Sequence, residues 1–242
     1  MSAPTARGTL SRQRVLTAAL AVADADGLAA VTMRRVAGDL GVEAMSIYHH
    51  VRGKDALLDG LVEAVLDEAA AELTRAGDPP RQWRAALRHR CLSARAVMVR
   101  HPWAPGLLTS RPAVPPSAFA WFEAVLAILV GGGFSYALAH RALHALGSTA
   151  LGFTQELFTP AAAGPAGDDP AAASAQALAA LSRMSDVLPH TAAMVAAEVH
   201  AHDGDVLGWC DSRAEFEFTL DLLLDGLERT RRAVARTSAA RA

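Results

Sequence analysis

The chain has 242 residues with a formal net charge of −2, and its hydrophobic fraction of 52%, much of it alanine, comes with only 5% aromatic residues. That balance favours an all-α protein with a sizeable buried core over a β-rich one, and the charge argues against recognition by bulk basicity. Two cysteines, Cys91 and Cys210, make neither a disulfide framework nor a metal-ligand spacing.

Residues 1–9 read as a flexible arm, without the apolar block and cleavage site of a signal peptide. Ser11 is placed to cap a first helix whose Val15, Leu16, Ala19, Val22 and Ala23 recur on one face, and Gly27 ends it. Thr32 caps a second, short helix with Met33, Val36, Ala37 and Leu40 inside, and Gly41 supplies a tight turn. A third helix is expected at 44–50, anchored by Val42 and Ile47. A long fourth follows from Lys54 to about residue 73, its apolar face Leu57, Leu58, Leu61, Val65 and Leu66. After the break at Gly77-Asp78-Pro79-Pro80, further helices are expected at 81–100, 103–109, 116–130, 135–158, 172–186, 190–201 and 213–235, separated by prolines and glycines. The apolar run from Phe119 to Val130 is broken by Glu123 and stays below the ~18 residues of a membrane span. With no membrane segment expected, the chain reads as cytoplasmic. The stretch 160–173 is low in complexity. The fold class expected is all-α with nine or ten helices.

Three short helices joined by tight turns form a helix-turn-helix, whose third helix enters the major groove of DNA. An ordinary helical corner is the bland alternative for a Gly between helices, yet the whole run from Arg14 to Leu61 fits one pattern. Residues 1–60 carry seven Arg/Lys and six Asp/Glu. Placed contacts, doubled by a second subunit, must therefore do what net charge cannot.

The runs Val15-Leu16-Thr17-Ala18-Ala19-Leu20, Asp26-Gly27-Leu28, Val31-Thr32-Met33-Arg34-Arg35-Val36-Ala37, Leu40-Gly41-Val42 and Ser46 through Asp59 closely resemble the TetR family of bacterial repressors. The resemblance implies a helix-turn-helix head at 10–55, a helical ligand-binding and dimerisation domain at 56–235, and a tail at 236–242. It implies that Tyr48 and Lys54 contact phosphate, and Lys54 is the only lysine beside 22 arginines. Thr32 can donate to phosphate, and Arg34 can reach phosphate or a guanine edge. Ala44, Met45 and Ser46 hold the base-reading end of the third helix, where none can make a bidentate pair with a base. His49 and His50 complete the DNA-facing set, as packing or phosphate groups rather than a pH switch.

The body is similar to the tetracycline-repressor type of C-terminal domain at Trp83, Arg111-Pro112, Gly132-Gly133-Phe134-Ser135, Leu151-Gly152 and Glu156. That type implies a homodimer built on two helices, here about 136–157 and 213–234. The first carries the small residues Gly147, Ser148 and Gly152, and the second the stripe Phe216, Leu220, Leu223, Leu224 and Leu227, for which an internal core face is the alternative to the subunit interface that the resemblance favours. It also implies a small-molecule pocket lined by Arg90, Ala94, Met98, Leu107, Trp121, Val125, Phe153 and Glu156. Leu107 stands where the family's tetracycline binders hold a metal-binding His, and Arg90 and Ala94 replace their Asn and Phe. A Mg²⁺–tetracycline complex is therefore not the expected effector. Arg90 and Glu156 are open to three readings: pairing with each other, orienting a polar ligand, or solvation at the surface.

An enzyme is the alternative class. His140 and His144 share a helix face, and Glu198, His200 and His202 cluster, but no H-E-x-x-H, G-x-S-x-G or phosphate-binding loop accompanies them. The reading is a ligand-responsive, non-enzymatic repressor that binds a palindromic operator in double-stranded DNA, needs no metal or cofactor, and leaves effector identity and inducer-versus-co-repressor open.

Overall fold

The computed structural model describes residues 9–75, 81–112, 114–153, 187–194 and 212–239. The described residues are helical or in connecting turns, with no strand among them. The chain divides into two compact units, 1–154 together with 220–242, and 155–219.

The head forms as its local signals require. In α1 (Arg12–Asp26) the backbone N–H of Arg14 donates to the Ser11 hydroxyl at 3.3 Å, and Gly27, at φ 78°, closes the helix through its N–H to Ala23. Its buried face is Val15, Leu16, Ala19, Val22 and Ala23, the five positions expected. A single 3₁₀ turn at Leu28–Ala30, which periodicity does not reveal, leads into α2 (Met33–Leu40). There Arg35 N–H donates to Thr32 Oγ1 at 3.1 Å, and Gly41 takes the left-handed conformation at φ 66°. Then α3 (Ala44–Tyr48) ends two residues sooner than expected, because the chain turns at His49 to bring the fully buried Ile47 and the buried Val51 inward.

The 22-residue α4 (Lys54–Arg75) serves two cores. Its first half (Leu57, Leu61, Val62) packs with Val15, Leu16, Val36 and Ile47 in the head. Its second half (Val65, Ala69) packs with Val97, Met98 and Ala104 in the body. Gly60 lets α1 and α4 approach closely, since a Cβ there would lie 2.4 Å from Leu16 Cδ2. The body continues through α5 (Trp83–Arg100), α6 (Ala104–Ser110), α7 (Pro116–Gly131) and α8 (Tyr136–Gly152) to α9 (Ser212–Ala239). The Trp83 ring meets Phe134 edge-on at 4.8 Å, and Gly132 is compelled by that ring, because a Cβ there would sit 2.7 Å from Trp83 Cγ. The helix expected at 172–186 and most of that at 190–201 lie outside the described residues.

Of the stripe expected at a subunit interface, Leu220, Leu224 and Leu227 are buried within the single chain. This corrects the expectation: those residues form intrachain core. The apolar residues that α9 leaves exposed are Phe218, Leu222 and Val234.

Head and body are also joined by a buried histidine. His101, 5% exposed, stands where α5 hands over to α6. Its Nδ1 lies 2.7 Å from Asp24 of α1 and its Nε2 2.9 Å from Glu68 of α4. Trp103 Nε1–H also donates to Asp24 at 2.7 Å, and Arg100 bridges Glu68 and Glu72. Burial alone would lower the pKa of His101, but its hydrogen bonds to the two carboxylates and their charges outweigh burial and raise it. A native pKa raised above the unfolded value contributes stability that is complete below about pH 6.5 and is lost as pH rises through the native value. We predict that thermal stability declines on going from about pH 6 to about pH 9, and that His101→Gln flattens this decline. An unchanged slope in melts of that variant would remove His101 as its source.

Candidate nucleic-acid interface and ligand cavity

The residues expected to face DNA lie at the start of α2, on α3, in the turn after it and at the start of α4, and most are exposed. Met45 is 71% exposed on α3, Ala44 and Ser46 beside it are half-buried, and Tyr48 is 44% exposed with its hydroxyl available to an acceptor. His49 is exposed and His50 half-buried in the following turn. Thr32 uses its oxygen as an acceptor for the cap, which leaves its O–H free to donate outward. The two arginines after it differ in kind. Arg35 is held by Asp26 at 2.9 Å and Asp39 at 3.1 Å, whereas Arg34 is exposed and forms no ion pair among the described residues. The side-chain hydrogen bond to Asp39, and then the charges of both acids, raise the pKa of Arg35.

Lys54 is exposed at the start of α4, after Gly53 at φ 98° turns the chain. Its neighbour Asp55 would offset its charge, but Asp55 and Asp59 accept from Arg111, at 3.4 and 2.7 Å. The sequence reading left out Arg52, which is exposed beside Lys54 without an ion pair among the described residues. A basic residue flanking the fourth helix's start was the signal available for it.

In the body, an apolar cavity of about 220 Å³ opens between α4, α5, α6, α7 and α8. Leu66 and Ala69 of α4, Ala94 and Met98 of α5, Trp121 and Phe122 of α7, and Gly147, Ala150 and Leu151 of α8 wall it. A narrower extension of about 70 Å³ shares Ala94, Trp121, Phe122 and Gly147, and adds Arg90, Cys91 and Val125. So five expected lining residues, Arg90, Ala94, Met98, Trp121 and Val125, come together.

Two do not. Leu107 is 4% exposed and packs into the head's core, so the neighbouring Leu108 and Thr109 line the cavity in its place. Successive helical residues point about 100° apart, and in the single short α6 that step decides which one faces the pocket. Phe153 sits half-buried past the end of α8, where its N–H closes the helix onto Thr149, and it is absent from both walls. Glu156 lies outside the described residues.

Arg90 lays its guanidinium over the Trp121 ring, 4.3 Å from the centroid, with Nε buried and without a hydrogen-bond partner. Burial lowers its pKa, with the adjacent Cys91 opposing. Burial also pushes the Cys91 thiol up to about 12, which keeps it neutral. Arg111, only 13% exposed, also lines the cavity while bonding Asp55 and Asp59, and so touches both pocket and head. Sequence reading took it only as a mark of resemblance.

A larger open trough of about 610 Å³ runs past Arg81, Trp83, Gly132 and Arg232. Along it Arg84 bonds Asp225, and Glu228, hydrogen-bonded first by Arg231 and then by Arg232, is held down to about 2. His140 and His144 face each other on the exposed face of α8, their Nε2 atoms 3.2 Å apart, and no group of three metal-ligating side chains occurs among the described residues. The cluster at 198–202 lies outside them. Among the described residues no helix is long and apolar enough to cross a membrane.

Two family models match, one described as "Bacterial regulatory proteins, tetR family" over residues 15–61, the other as "Tetracyclin repressor-like, C-terminal domain" over 76–231. The chain is 42% identical over 123 residues to the HTH-type transcriptional repressor DrrR1 of Streptomyces coeruleorubidus, covering 50% of this chain and 44% of that one. It is 33% identical over 148 residues to the tetracycline repressor protein class E of Escherichia coli, covering 61% and 68%. A crystal structure of a possible TetR family transcriptional regulator from Streptomyces coelicolor A3(2) superposes with a TM-score of 0.67 at 28% identity, covering 91% of this chain and 100% of that one. The chain spans about half the length of curated relatives such as DrrR1.

Proposed function

Because this chain belongs to the tetR family of bacterial regulatory proteins, we propose that it is a homodimeric repressor released from a palindromic DNA operator when a small molecule enters the body. On this reading residues 10–55 are the DNA-binding domain, 56–235 the sensing and dimerisation domain, and the protein works in the cytoplasm.

The observation that carries the proposal is that one helix serves both tasks. Lys54 opens α4 beside the exposed reading helix, and Ala69 of the same helix walls the cavity, about 22 Å further along at 1.5 Å per residue. Arg111 adds a second tie between cavity and head through Asp55 and Asp59. In a dimer, two reading helices must sit about 34–36 Å apart to enter successive major grooves. A ligand that tilts α4, or draws Arg111 away from its acids, spoils that spacing. The shift can be no larger than the ligand's difference in affinity for the two states. Exposed apolar side chains on α8 and α9 (Tyr136, Leu222 and Val234) are consistent with a second copy covering these helices.

The test is selection of genomic fragments on the purified protein, followed by a screen for compounds that change its affinity for the selected DNA. We expect a two-fold symmetric sequence, a dimeric mass by sedimentation at micromolar concentration, and release by at least one compound. A compound that tightens binding would make the effector a co-repressor. Turnover of a candidate ligand without specific DNA binding would replace the repressor by an enzyme.

A further inference from the structure

Among the described residues, the charge in the cavity wall that no carboxylate answers is that of Arg90. Arg111 is matched by Asp55 and Asp59, and Cys91 remains a neutral thiol. Arg90 has no carboxylate partner among the described residues and keeps a buried, unpartnered Nε. Buried donors without an acceptor are scarce in native proteins, and a guanidinium offers a planar fork matched to a carboxylate. One face of this guanidinium already lies on Trp121, which fixes its plane and leaves its edge to meet a partner.

The rest of the lining is mostly apolar. Ala94, Gly147 and Ala150 recur in the walls of both compartments, so small side chains make the two continuous. Nothing lies within 4 Å of where a Gly147 Cβ would be, so that position faces open room. The compartments of about 220 and 70 Å³ together hold about ten waters at roughly 30 Å³ each, the room of a two- or three-ring organic molecule.

We propose that the cavity takes an aromatic acid of two or three fused rings, its carboxylate paired with the Arg90 guanidinium and its rings among Trp121, Phe122, Ala94, Gly147 and Ala150. This rests on the sensing role proposed above and narrows it to a ligand class. It also gives a physical reason for Arg90 where the family's tetracycline binders carry an Asn: a charged donor selects an anion.

The test is calorimetric titration of the full-length protein with naphthalene-2-carboxylate and anthracene-2-carboxylate, each against its neutral carboxamide. At least one carboxylate is expected to bind about tenfold or more tightly than its amide, equivalent to about 1.4 kcal/mol. Arg90→Gln should erase that preference, Arg90→Lys should retain part of it, and Gly147→Leu should exclude acid and amide alike. Equal binding of acid and amide, or binding of neither, overturns the proposal. So does binding of the acid only after Glu156→Gln, since Arg90 would then be answered from within the chain. The same compounds added to the protein–DNA complex separate the two readings. Charge-selective binding that never alters DNA affinity would sink the sensor and keep the ligand class. Release by a ligand without charge preference would do the reverse.

Discussion

Leu57→Ala is expected to lower the free energy of unfolding by about 3 kcal/mol, within the usual 2–5 kcal/mol for truncating a buried leucine. Leu57 is fully buried where α4 crosses the head, packed with Val15, Leu16, Val36 and Ile47. The helices around it are short, α2 of eight residues and α3 of five, so this cluster rather than helix propensity holds the reading helix in place. The cavity left by alanine cannot collapse easily between segments tied by the turns at Gly41 and Gly53. Denaturant unfolding at fixed protein concentration reads the loss, because the proposed dimerisation would make stability concentration-dependent. Val99→Ala, at a 53% exposed position on α5, serves as the comparison. A Leu57→Ala cost below about 1 kcal/mol would show that the head does not depend on this core.

Lys54→Ala should weaken binding to every DNA sequence and flatten its salt dependence. Lys54 is exposed at the start of α4, and Arg111 occupies the one acid beside it. Each phosphate contact contributes about 0.9 to the slope of log K against log salt, so two subunits should lose about 1.8. If counterion release carries the whole loss, affinity falls about 30-fold at 0.15 M salt. Tyr48→Ala should likewise act on all sequences, whereas changes at Met45, 71% exposed, or Ser46 should alter which operator is preferred. Binding isotherms at several salt concentrations decide. An altered base preference for Lys54→Ala with an unchanged slope would reverse the roles assigned to Lys54 and α3.

The caps at Ser11 and Thr32, the stops at Gly27 and Gly41, and the inner face of α1 were legible in the sequence. Each is a local signal, completed by groups within three or four residues, so a linear reading captures it. The early end of α3 was not, because burying Ile47 and Val51 against α4 outweighs the helical tendency of 49–50. The position of the pocket came from resemblance, and five of its expected residues meet there.

The sequence by itself therefore determined the all-α class, the three short helices of the head with Met45 exposed on the third, and, through resemblance, the general place of the cavity. Tertiary structure decided which neighbours face which way. Leu107 turns to the head while Leu108 faces the cavity, a choice that one residue's rotation on a seven-residue helix makes and no period can announce. It also decided which charges are answered. Arg111 meets Asp55 and Asp59 across more than fifty residues, His101 meets Asp24 across 77, and Arg90 lies over the face of Trp121. Such pairings depend on helix packing over long sequence separations, which leaves no periodic trace in the chain.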